Sequence, residues 1–256
     1  MQQTVTEERW FTQLGGAERA KMRLYCFPYA GGSSNVFRRW SLYLPPSVQV
    51  VPVELAGHGK RLQEVPEKNL RKIVENMVTD IGPKLQPPFA FFGHSMGALI
   101  AYELTRSLRR YGMTMPAHLY VSAHLAPHAP PKREPIYNLP EKDFLSRLQD
   151  INGTPNQVLE NKELRELFLP ILRSDFQVCE TYQYEDNLTL DQPITAFCGE
   201  QDKDVRPEDM DGWRNHTLST FKLLTVPGDH FFLHSHEERF FYVLGEELNL
   251  LLNYCD

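Results

Sequence analysis

Six short apolar runs, each bounded by Gly, Pro or polar residues, constrain the fold more than any other feature of this chain. They are rich in Val, Ile, Phe and Tyr, and they are nearly continuous rather than alternating in polarity. Such runs are typical of strands that are buried on both faces of a parallel sheet. The runs are Met22–Tyr29, Val48–Leu55, Phe89–Phe92, His118–Ala123, Ile194–Cys198 and Phe221–Val226.

Segments with the periodicity of amphipathic helices lie between these runs. Leu70–Leu85 carries an apolar residue at every fourth position, and Ala98–Arg110 ends in arginines, which suit the C-terminus of a helix. Glu237–Leu252 predicts a C-terminal helix. Alternating strands and helices indicate an α/β fold, with a mostly parallel central sheet flanked by helices.

Length and composition point to one globular domain. The chain has 256 residues, of which 41% are hydrophobic and 23% charged, so it can bury a core without disulfide or metal support. Its formal net charge of −6 argues against a nucleic-acid-binding protein, which more often carries a basic excess. We therefore expect residues 1–256 to form a single domain and, by default, a monomer.

The cysteines and the N-terminal segment favour a reduced, cytoplasmic protein. The first ten residues lack the apolar core of a signal peptide, and no stretch approaches the roughly 18 apolar residues of a membrane span. No two cysteines have the short spacing of a zinc or redox pair. They are Cys26, Cys179, Cys198 and Cys255.

The region between Ala123 and Pro193 interrupts the strand–helix alternation. It opens with the proline-rich segment APHAPPKREP and continues with helical patterns at Glu141–Asp150 and Lys162–Tyr182. Long loops without structure are uncommon, which favours a helical insertion over the sheet at about residues 126–190. Two ordinary crossover helices with long loops are the alternative.

The segment Gly93-His94-Ser95-Met96-Gly97 fits the pattern G-x-S-x-G. An apolar run precedes it and a predicted helix follows, which is the strand–turn–helix context in which this motif exposes a nucleophilic serine. Helix N-terminal amides at such a turn favour developing negative charge. We therefore predict Ser95 as a catalytic nucleophile, with a tight turn and an incidental serine as the alternative.

A serine nucleophile needs a base, and the chain has nine histidines. His230 directly follows the last predicted strand, on a loop that can reach the serine across the sheet edge. His234 and His236 are nearby rivals, but they fall on or near the start of the final helix. His94 adjoins Ser95, so its side chain should point away from Oγ. We predict His230 as the base.

The base needs a carboxylate that fixes its tautomer. The chain order Ser–Asp–His places this acid between the serine and the base, at the end of a strand. Asp202 and Asp204 both follow the run Ile194–Cys198. The G-x-x-D spacing from Gly199 favours Asp202, and Asp204 is then a solvated turn residue.

Acyl chemistry also needs donors for the oxyanion. One is predicted to be the backbone N–H of Met96, the residue after the nucleophile. The second should come from the glycine-containing loop Phe27–Ser33, where Ala30 is the candidate. A phosphate-binding loop is excluded here, because no G-K-[ST] follows.

Together these segments resemble the type II thioesterases of polyketide and nonribosomal-peptide pathways and the related medium-chain acyl-carrier-protein thioesterase. The resemblance runs from about residue 22 to 250. Its motifs are FPYAGGS (Phe27–Ser33), PFAFFGHSMG (Pro88–Gly97), NGTP (Asn152–Pro155), LPILRSDF (Leu169–Phe176) and PGDHFF (Pro227–Phe232).

The resemblance implies an α/β-hydrolase fold whose helical insertion is a mobile lid over an acyl channel. It implies Ser95 as nucleophile, His230 as base and Asp202 as orienting acid, with the amides of Ala30 and Met96 at the oxyanion. The implied reaction is hydrolysis of acyl thioesters on the phosphopantetheine arm of an acyl or peptidyl carrier protein, as an editing step. No metal or organic cofactor is expected, because phosphopantetheine belongs to the carrier.

One loop departs from the family pattern. Where the family often reads LPGRExR, this chain reads LAGHGKR at Leu55–Arg61, which leaves the predicted triad intact. A carboxylesterase or lipase is the first alternative function, because a fold and a triad do not set the leaving group. A non-catalytic binding protein is the second, but no triad member is missing.

Two surface hypotheses concern substrate contact. Carrier proteins are usually acidic, so an acidic enzyme should dock them through a local basic patch. Candidates are Lys132 and Arg133 at the insertion entrance, and Lys60 and Arg61 on the variant loop. An acyl tunnel, or alternatively the core of the insertion itself, is predicted to use Phe144, Leu145, Leu148, Leu167 and Phe168.

Overall fold

The computed structural model describes residues 9–12, 18, 20–151, 153, 156–186 and 188–255. Within this part, six parallel strands form one sheet in the order β2-β1-β3-β4-β5-β6. Each predicted apolar run begins at the same residue as one strand and ends within three residues of that strand's end, and all six strands are parallel, which confirms the parallel sheet. The strands are β1 (Met22–Phe27), β2 (Val48–Pro52), β3 (Phe89–His94), β4 (His118–Ser122), β5 (Ile194–Gly199) and β6 (Phe221–Val226).

Helices connect the strands and cover the sheet. The three predicted outside the insertion are present, with α1 ending earlier than predicted. The helices are α1 (Leu70–Asp80), α2 (Met96–Arg110), α3 (Glu141–Ile151), α4 (Asn156–Glu160), α5 (Lys162–Glu180), α6 (Pro207–Asp211), α7 (Phe232–Ser235) and α8 (Glu237–Cys255).

The early end of α1 has a local cause. Pro83 disfavours the α conformation at Gly82, so the helix stops and a 3₁₀ turn, Gly82–Lys84, follows. The apolar stripe nevertheless continues past the helix end, because Ile81 and Leu85 are both buried. The periodicity therefore identified the buried side chains correctly and overran the helix boundary.

The sheet is buried on both faces, which explains the continuous apolar runs. Successive residues of β3 point to opposite sides: Phe91 packs in the core formed with α1 and α2, and Phe92 packs in the core formed with α8. A strand that is buried on both faces has no side that faces solvent, so nearly all of its residues are apolar. The arrangement brings the carboxyl ends of the strands, and the loops that follow them, to one edge of the sheet.

The helical insertion between β4 and β5 contains α3, α4 and α5. The two predicted helices are present, and α4 was not predicted. The insertion has an apolar cluster of its own, in which Phe144 is fully buried and Leu145 packs against it. Leu148 belongs to the same cluster and Leu167 is exposed, so three of the five side chains predicted for a tunnel form the core of the insertion. The buried members of the cluster are Ile136, Phe144, Leu148, Leu159, Leu169 and Leu172.

None of the helices in the described ranges has the length and apolar character needed to cross a membrane. No group of His, Cys, Asp and Glu side chains in those ranges is arranged to hold a metal ion. Cys26 and Cys198 are free and buried in the core.

Candidate active site

Ser95 lies on the sharp turn between β3 and α2, which we call the elbow. Its backbone has φ 52° and ψ −119°, a conformation that non-glycine residues rarely adopt. The Ser95 N–H donates to the carbonyl of Ser122 on the neighbouring strand at 2.7 Å, which anchors the turn to the sheet. The side chain is partly exposed at the sheet edge, where a nucleophile can reach substrate.

The two glycines of the motif are required by space. A Cβ at Gly93 would overlap the backbone of Gly97, and a Cβ at Gly97 would overlap the carbonyl of Phe27 on β1. Backbone atoms cannot move aside without moving the strands that hold them. The pattern G-x-S-x-G therefore has glycine at these two positions because α2 lies too close to the sheet for any side chain.

Gly97→Ala is expected to lower the free energy of unfolding by about 3 kcal/mol, the upper end of the usual cost of overpacking. The added methyl meets backbone rather than a flexible side chain. Urea denaturation monitored by circular dichroism measures the effect. Gly245→Ala on α8 is the matched control, because its added methyl meets nothing within 4 Å and the change improves helix propensity. Equal stability of the two variants would contradict the steric argument.

His230 and Asp202 form a hydrogen-bonded pair after the ends of β6 and β5. His230 Nδ1 lies 2.8 Å from Asp202 Oδ2, and the Asp202 side chain is almost fully buried. Because a carboxylate only accepts, His230 Nδ1 carries a proton and Nε2 is left as the acceptor. His230 and Ser95 both line the same cavity, so Nε2 and Oγ share one reaction space.

Asp202 is held as an anion. Burial disfavours its charge, but the hydrogen bond and charge of His230, together with the N–H groups of Val205 and Asp204, outweigh burial and lower its pKa. The two N–H groups lie 3.1 and 2.8 Å from Asp202 Oδ1. The carboxylate is thus fixed by three donors and keeps one orientation toward His230.

The rival residues have other partners. Asp204 forms an ion pair with Arg133, and His234 Nε2 lies 2.9 Å from the Tyr29 hydroxyl. His94 is fully buried, and its Nδ1 lies 2.8 Å from Ser122 Oγ. Burial, together with the neighbouring histidines, holds the pKa of His94 well below its ordinary value. His94 is therefore a neutral structural group beside the serine.

The predicted oxyanion donors sit on either side of the serine turn. Met96 is the first residue of α2, so its N–H has no acceptor within the helix. Ala30 lies in a turn after β1, closed by a hydrogen bond from the Gly32 N–H to the Tyr29 carbonyl at 2.8 Å. Ala30 also lines the cavity that contains Ser95 and His230. We call Tyr29–Gly32 the oxyanion turn below.

The cavity has a volume of about 630 Å³ and lies between the sheet edge and the helical insertion. Its lining is mainly apolar, and the charged side chains of Lys132, Arg133, Glu180 and Asp204 also belong to it. Of the five apolar side chains predicted for a tunnel, only Leu148 is among its lining residues in the described part of the chain. The apolar wall includes Leu125, Leu148, Ile151, Leu172, Phe176 and Phe231.

A sequence model of the thioesterase domain matches residues 22–246 of the chain. The chain belongs to the thioesterase family. The predicted resemblance is thereby confirmed. Its motifs FPYAGGS, PFAFFGHSMG and PGDHFF contain the oxyanion turn, the elbow and the His230 loop, and LPILRSDF lies on α5. From the NGTP motif, Asn152, Thr154 and Pro155 lie outside the described residues, and Gly153 lines the cavity.

Three proteins illustrate the similarity of this thioesterase to known ones. The gramicidin S biosynthesis protein GrsT of Aneurinibacillus migulanus is 40% identical over 244 residues, which cover 95% of each chain. The RedJ thioesterase of the prodiginine biosynthetic pathway in Streptomyces coelicolor is 37% identical and has a TM-score of 0.84, covering 91% of this chain and 87% of RedJ. The type II thioesterase BorB of the borrelidin biosynthetic cluster is 31% identical with a TM-score of 0.84, covering 93% and 97%.

Sequence reasoning gave no role to two residues of this thioesterase, one within the oxyanion turn and one that contacts it. Tyr29 packs edge-on against Phe231, beside His230, and so ties the turn to the His230 loop. Asp175 of α5 accepts a hydrogen bond from the Gly31 N–H at 2.6 Å. Both lie in the family motifs FPYAGGS and LPILRSDF, which is the signal that could have singled them out.

Arg61 is not available for docking, and its prediction as part of a basic patch is wrong. The side chain is buried, with its guanidinium 4.5 Å from the Trp10 ring centroid and hydrogen-bonded to Glu64 and to the carbonyl of Glu54. The contact with the ring face and the hydrogen bonds to these acceptors offset the free-energy cost of removing the Arg61 cation from water. Lys60 remains exposed on the same loop.

Proposed function

We propose that this thioesterase hydrolyses acyl thioesters carried on the phosphopantetheine arm of an acyl or peptidyl carrier protein. Its role is editing, the removal of stalled or misprimed acyl groups from a polyketide or nonribosomal-peptide synthase. Relatives named for gramicidin S, prodiginine and borrelidin biosynthesis support such a pathway. The observation that carries the proposal is that Ser95 and His230, which is paired with Asp202, line one cavity whose lining is mainly apolar.

The first half of the reaction acylates the enzyme. Ser95 Oγ attacks the thioester carbonyl while His230 Nε2 accepts the hydroxyl proton. The carbonyl oxygen becomes an oxyanion, and the N–H groups of Ala30 and Met96 stabilise it. When the tetrahedral intermediate collapses, the C–S bond breaks, and the carrier thiol leaves with the proton returned by His230.

The second half releases the acid. His230 accepts a proton from water, and the resulting hydroxide attacks the acyl-Ser95 carbonyl at the same oxyanion site. Collapse returns the proton to Ser95 Oγ and frees the carboxylic acid. Asp202 keeps the His230 ring in the required tautomer and stabilises the imidazolium in both halves. These steps use side chains, backbone amides and water, and the phosphopantetheine arrives with the substrate.

The helical insertion serves as a lid in this proposal. It supplies much of the apolar cavity wall, through residues such as Leu148, Leu172 and Phe176. An acyl chain of a substrate would lie against this wall, away from water. The insertion has an apolar cluster of its own, and α5 also anchors it to the sheet, because Val178 is fully buried in the main core.

A substrate panel tests the proposed function. Purified enzyme is assayed with acyl-loaded carrier proteins, with the matching free acyl thioesters, and with simple oxygen esters of the same acids. The proposal expects the highest kcat/KM on the carrier-bound thioester and the lowest on the oxygen ester. An oxygen-ester preference would instead place the protein among carboxylesterases.

Neutralising Lys132 and Arg133 together, each to Gln, is expected to raise KM for the acyl-carrier substrate several-fold. The two cations line the cavity and are exposed, although they pair with Asp209 and Asp204. Carrier proteins are usually acidic, so loss of these cations should weaken docking, and added salt should weaken it in the wild type. Steady-state kinetics on carrier-bound and free thioesters measure the difference.

The free thioester is the internal control for this double variant, since docking charges do not touch the triad. Lys72→Gln, an exposed change on α1, is the matched surface control and should leave both KM values unchanged. Asp204→Asn should lower KM for the carrier substrate, because it releases Arg133 from its ion pair. Equal losses of the double variant on both substrates would show damage to the cavity rather than to docking.

A further inference from the structure

Asp175 is a buried carboxylate of α5 that contacts the oxyanion turn. It is 2% exposed, and its Oδ2 accepts a hydrogen bond from the Gly31 N–H at 2.6 Å. The same oxygen lies 2.9 Å from His58 Nε2, and His58 is 4% exposed. A buried carboxylate is costly unless its partners are well placed, so these contacts fix its position.

The hydrogen bond to Asp175 acts on the geometry of the turn. Gly31 has φ +77°, the value of the third residue of a type II turn, and the Gly32 N–H closes the turn onto the Tyr29 carbonyl. The central peptide group of this turn carries the Gly31 N–H. Holding that group fixes the preceding peptide, which carries the Ala30 N–H.

A second contact from α5 holds the same residue. A Cβ on Gly31 would lie 2.6 Å from Leu172 Cδ2, so the leucine packs directly over the glycine. Leu172 and Asp175 are three residues apart and therefore share one face of α5. This face of the insertion thus holds the oxyanion turn with one hydrogen bond and one apolar contact.

The hydrogen-bond partners of His58 show which of its ring nitrogens carry a proton. Nδ1 lies 3.0 Å from the Ala56 carbonyl, which only accepts, so Nδ1 carries a proton. Nε2 faces Asp175, which as a carboxylate also accepts, so Nε2 carries one too. Burial opposes the imidazolium, but Asp175, the Ala56 carbonyl and the charge of Glu54 together raise the pKa of His58. A His58–Asp175 ion pair results.

We propose that Asp175 is a positioning residue for thioester hydrolysis: held by His58, it fixes the oxyanion turn so that the Ala30 N–H meets the developing oxyanion. The inference rests on the roles proposed above for Ser95 and Ala30. It also means that the insertion must be docked through α5 for the oxyanion site to be complete. The Asp175 side chain thereby links the position of the insertion to the geometry of the oxyanion site.

Asp175→Ala is expected to lower kcat on a free acyl thioester, such as an acyl-CoA, by roughly ten- to a hundredfold. Loss of a whole oxyanion donor costs roughly a hundred- to a thousandfold, and a misdirected donor loses part of that. KM should change little. The affinity for a trifluoromethyl ketone analogue, which forms an oxyanion on Ser95, should fall in proportion to kcat/KM.

Two controls separate positioning from damage. A thioether analogue of the substrate, which forms no oxyanion, should bind Asp175→Ala and wild type equally. Glu166→Ala, an exposed change on the same helix, should leave kcat and both affinities at wild-type values. Asp175→Asn keeps an acceptor for the Gly31 N–H and loses the charge, so its kcat should lie between those of wild type and Asp175→Ala.

The pH dependence gives a readout that a merely structural role would not move. The charges acting on His58 come from Asp175 on α5 and Glu54 after β2. Because its folded pKa lies above the ordinary 6.5, the ion pair is complete below that value and is lost as pH rises through the raised pKa. Wild-type kcat should therefore decline on this alkaline side. His58→Gln cannot titrate, so its kcat should be lower than wild type and constant over the same range.

Two results would overturn the positioning role proposed for Asp175. Wild-type kcat and ketone affinity in Asp175→Ala would overturn the inference, as would equal weakening of the ketone and the thioether. If Asp175→Ala does not fold, Asp175→Asn decides: wild-type kcat and ketone affinity there would overturn the inference. Ser95→Ala separates failure of the proposed function from failure of the Asp175 inference, because its activity tests the proposed function alone.

Discussion

Ser95→Ala is expected to abolish thioester hydrolysis while leaving the fold intact. The substitution removes one oxygen from a partly exposed turn, and the turn itself is held by the Ser95 N–H and by the close approach of α2 to the sheet. Loss of a serine nucleophile in a triad costs on the order of a millionfold in kcat. Turnover of a free acyl thioester, measured beside circular dichroism and urea denaturation, tests both halves of the expectation.

Labelling gives an independent check on the nucleophile. A serine-directed phosphonate should modify Ser95 alone, as read by peptide mass spectrometry, and the Ser95→Ala variant should take up none. Ser219→Ala, a change of the same size at an exposed loop, is the matched control and should keep full activity. Near-normal turnover in Ser95→Ala, or labelling at another serine, would end the hydrolase mechanism proposed for this site.

Asp202→Asn is expected to lower kcat by roughly ten-thousandfold, the scale on which triads respond to this change. The asparagine oxygen can still accept from the N–H groups of Val205 and Asp204, so the loop should keep its shape. Its amide, however, donates toward His230 Nδ1 and favours the tautomer with the proton on Nε2. That tautomer cannot accept the proton of Ser95.

Asp204→Asn is the matched control for the acid, since it makes the same change two residues away on the same loop. Asp204 pairs with Arg133 rather than with His230, so its kcat on a free thioester should fall by less than about tenfold. Should the two variants exchange their effects, Asp204 would be the orienting acid. Circular dichroism of both variants shows whether either loss comes from unfolding.

Acid pH should weaken the same pair in the wild type. The pKa of Asp202 is lowered in the fold, against burial, by His230 and by two backbone N–H groups. A lowered pKa contributes stability that is complete above the ordinary aspartate value of about 3.9 and is lost as pH falls through the lowered value. The carboxylate is therefore fully ionised throughout the neutral range in which the mechanism needs it.

The sequence predicts the parts of this molecule that local patterns encode. Strands buried on both faces leave continuous apolar runs, and the elbow leaves glycines at Gly93 and Gly97 because no side chain fits there. Strand order and triad order then place Asp202 and His230 on loops at one sheet edge. Each of these inferences needs only residues that are close in sequence or connected by a general rule of α/β sheets.

Contacts between distant segments are not encoded in this way. Asp175 and Gly31 are 144 residues apart, and no spacing rule relates α5 to the turn after β1. Arg61 was misjudged for the same reason, because the ring of Trp10 that covers it comes from a distant part of the chain. The cost or gain of burying a charge depends on such partners, and only the folded arrangement shows them.

The separate apolar cluster of the insertion makes this part of the molecule exchangeable. A chimera that takes the helices between β4 and β5 from a relative brings most of its own interior, and the sheet core on the α8 side is untouched. The junction that such a graft must reproduce lies on α5, which presents Leu172 and Asp175 to Gly31 and buries Val178 in the main core. Cavity walls can thus diversify between relatives while the oxyanion turn stays the same.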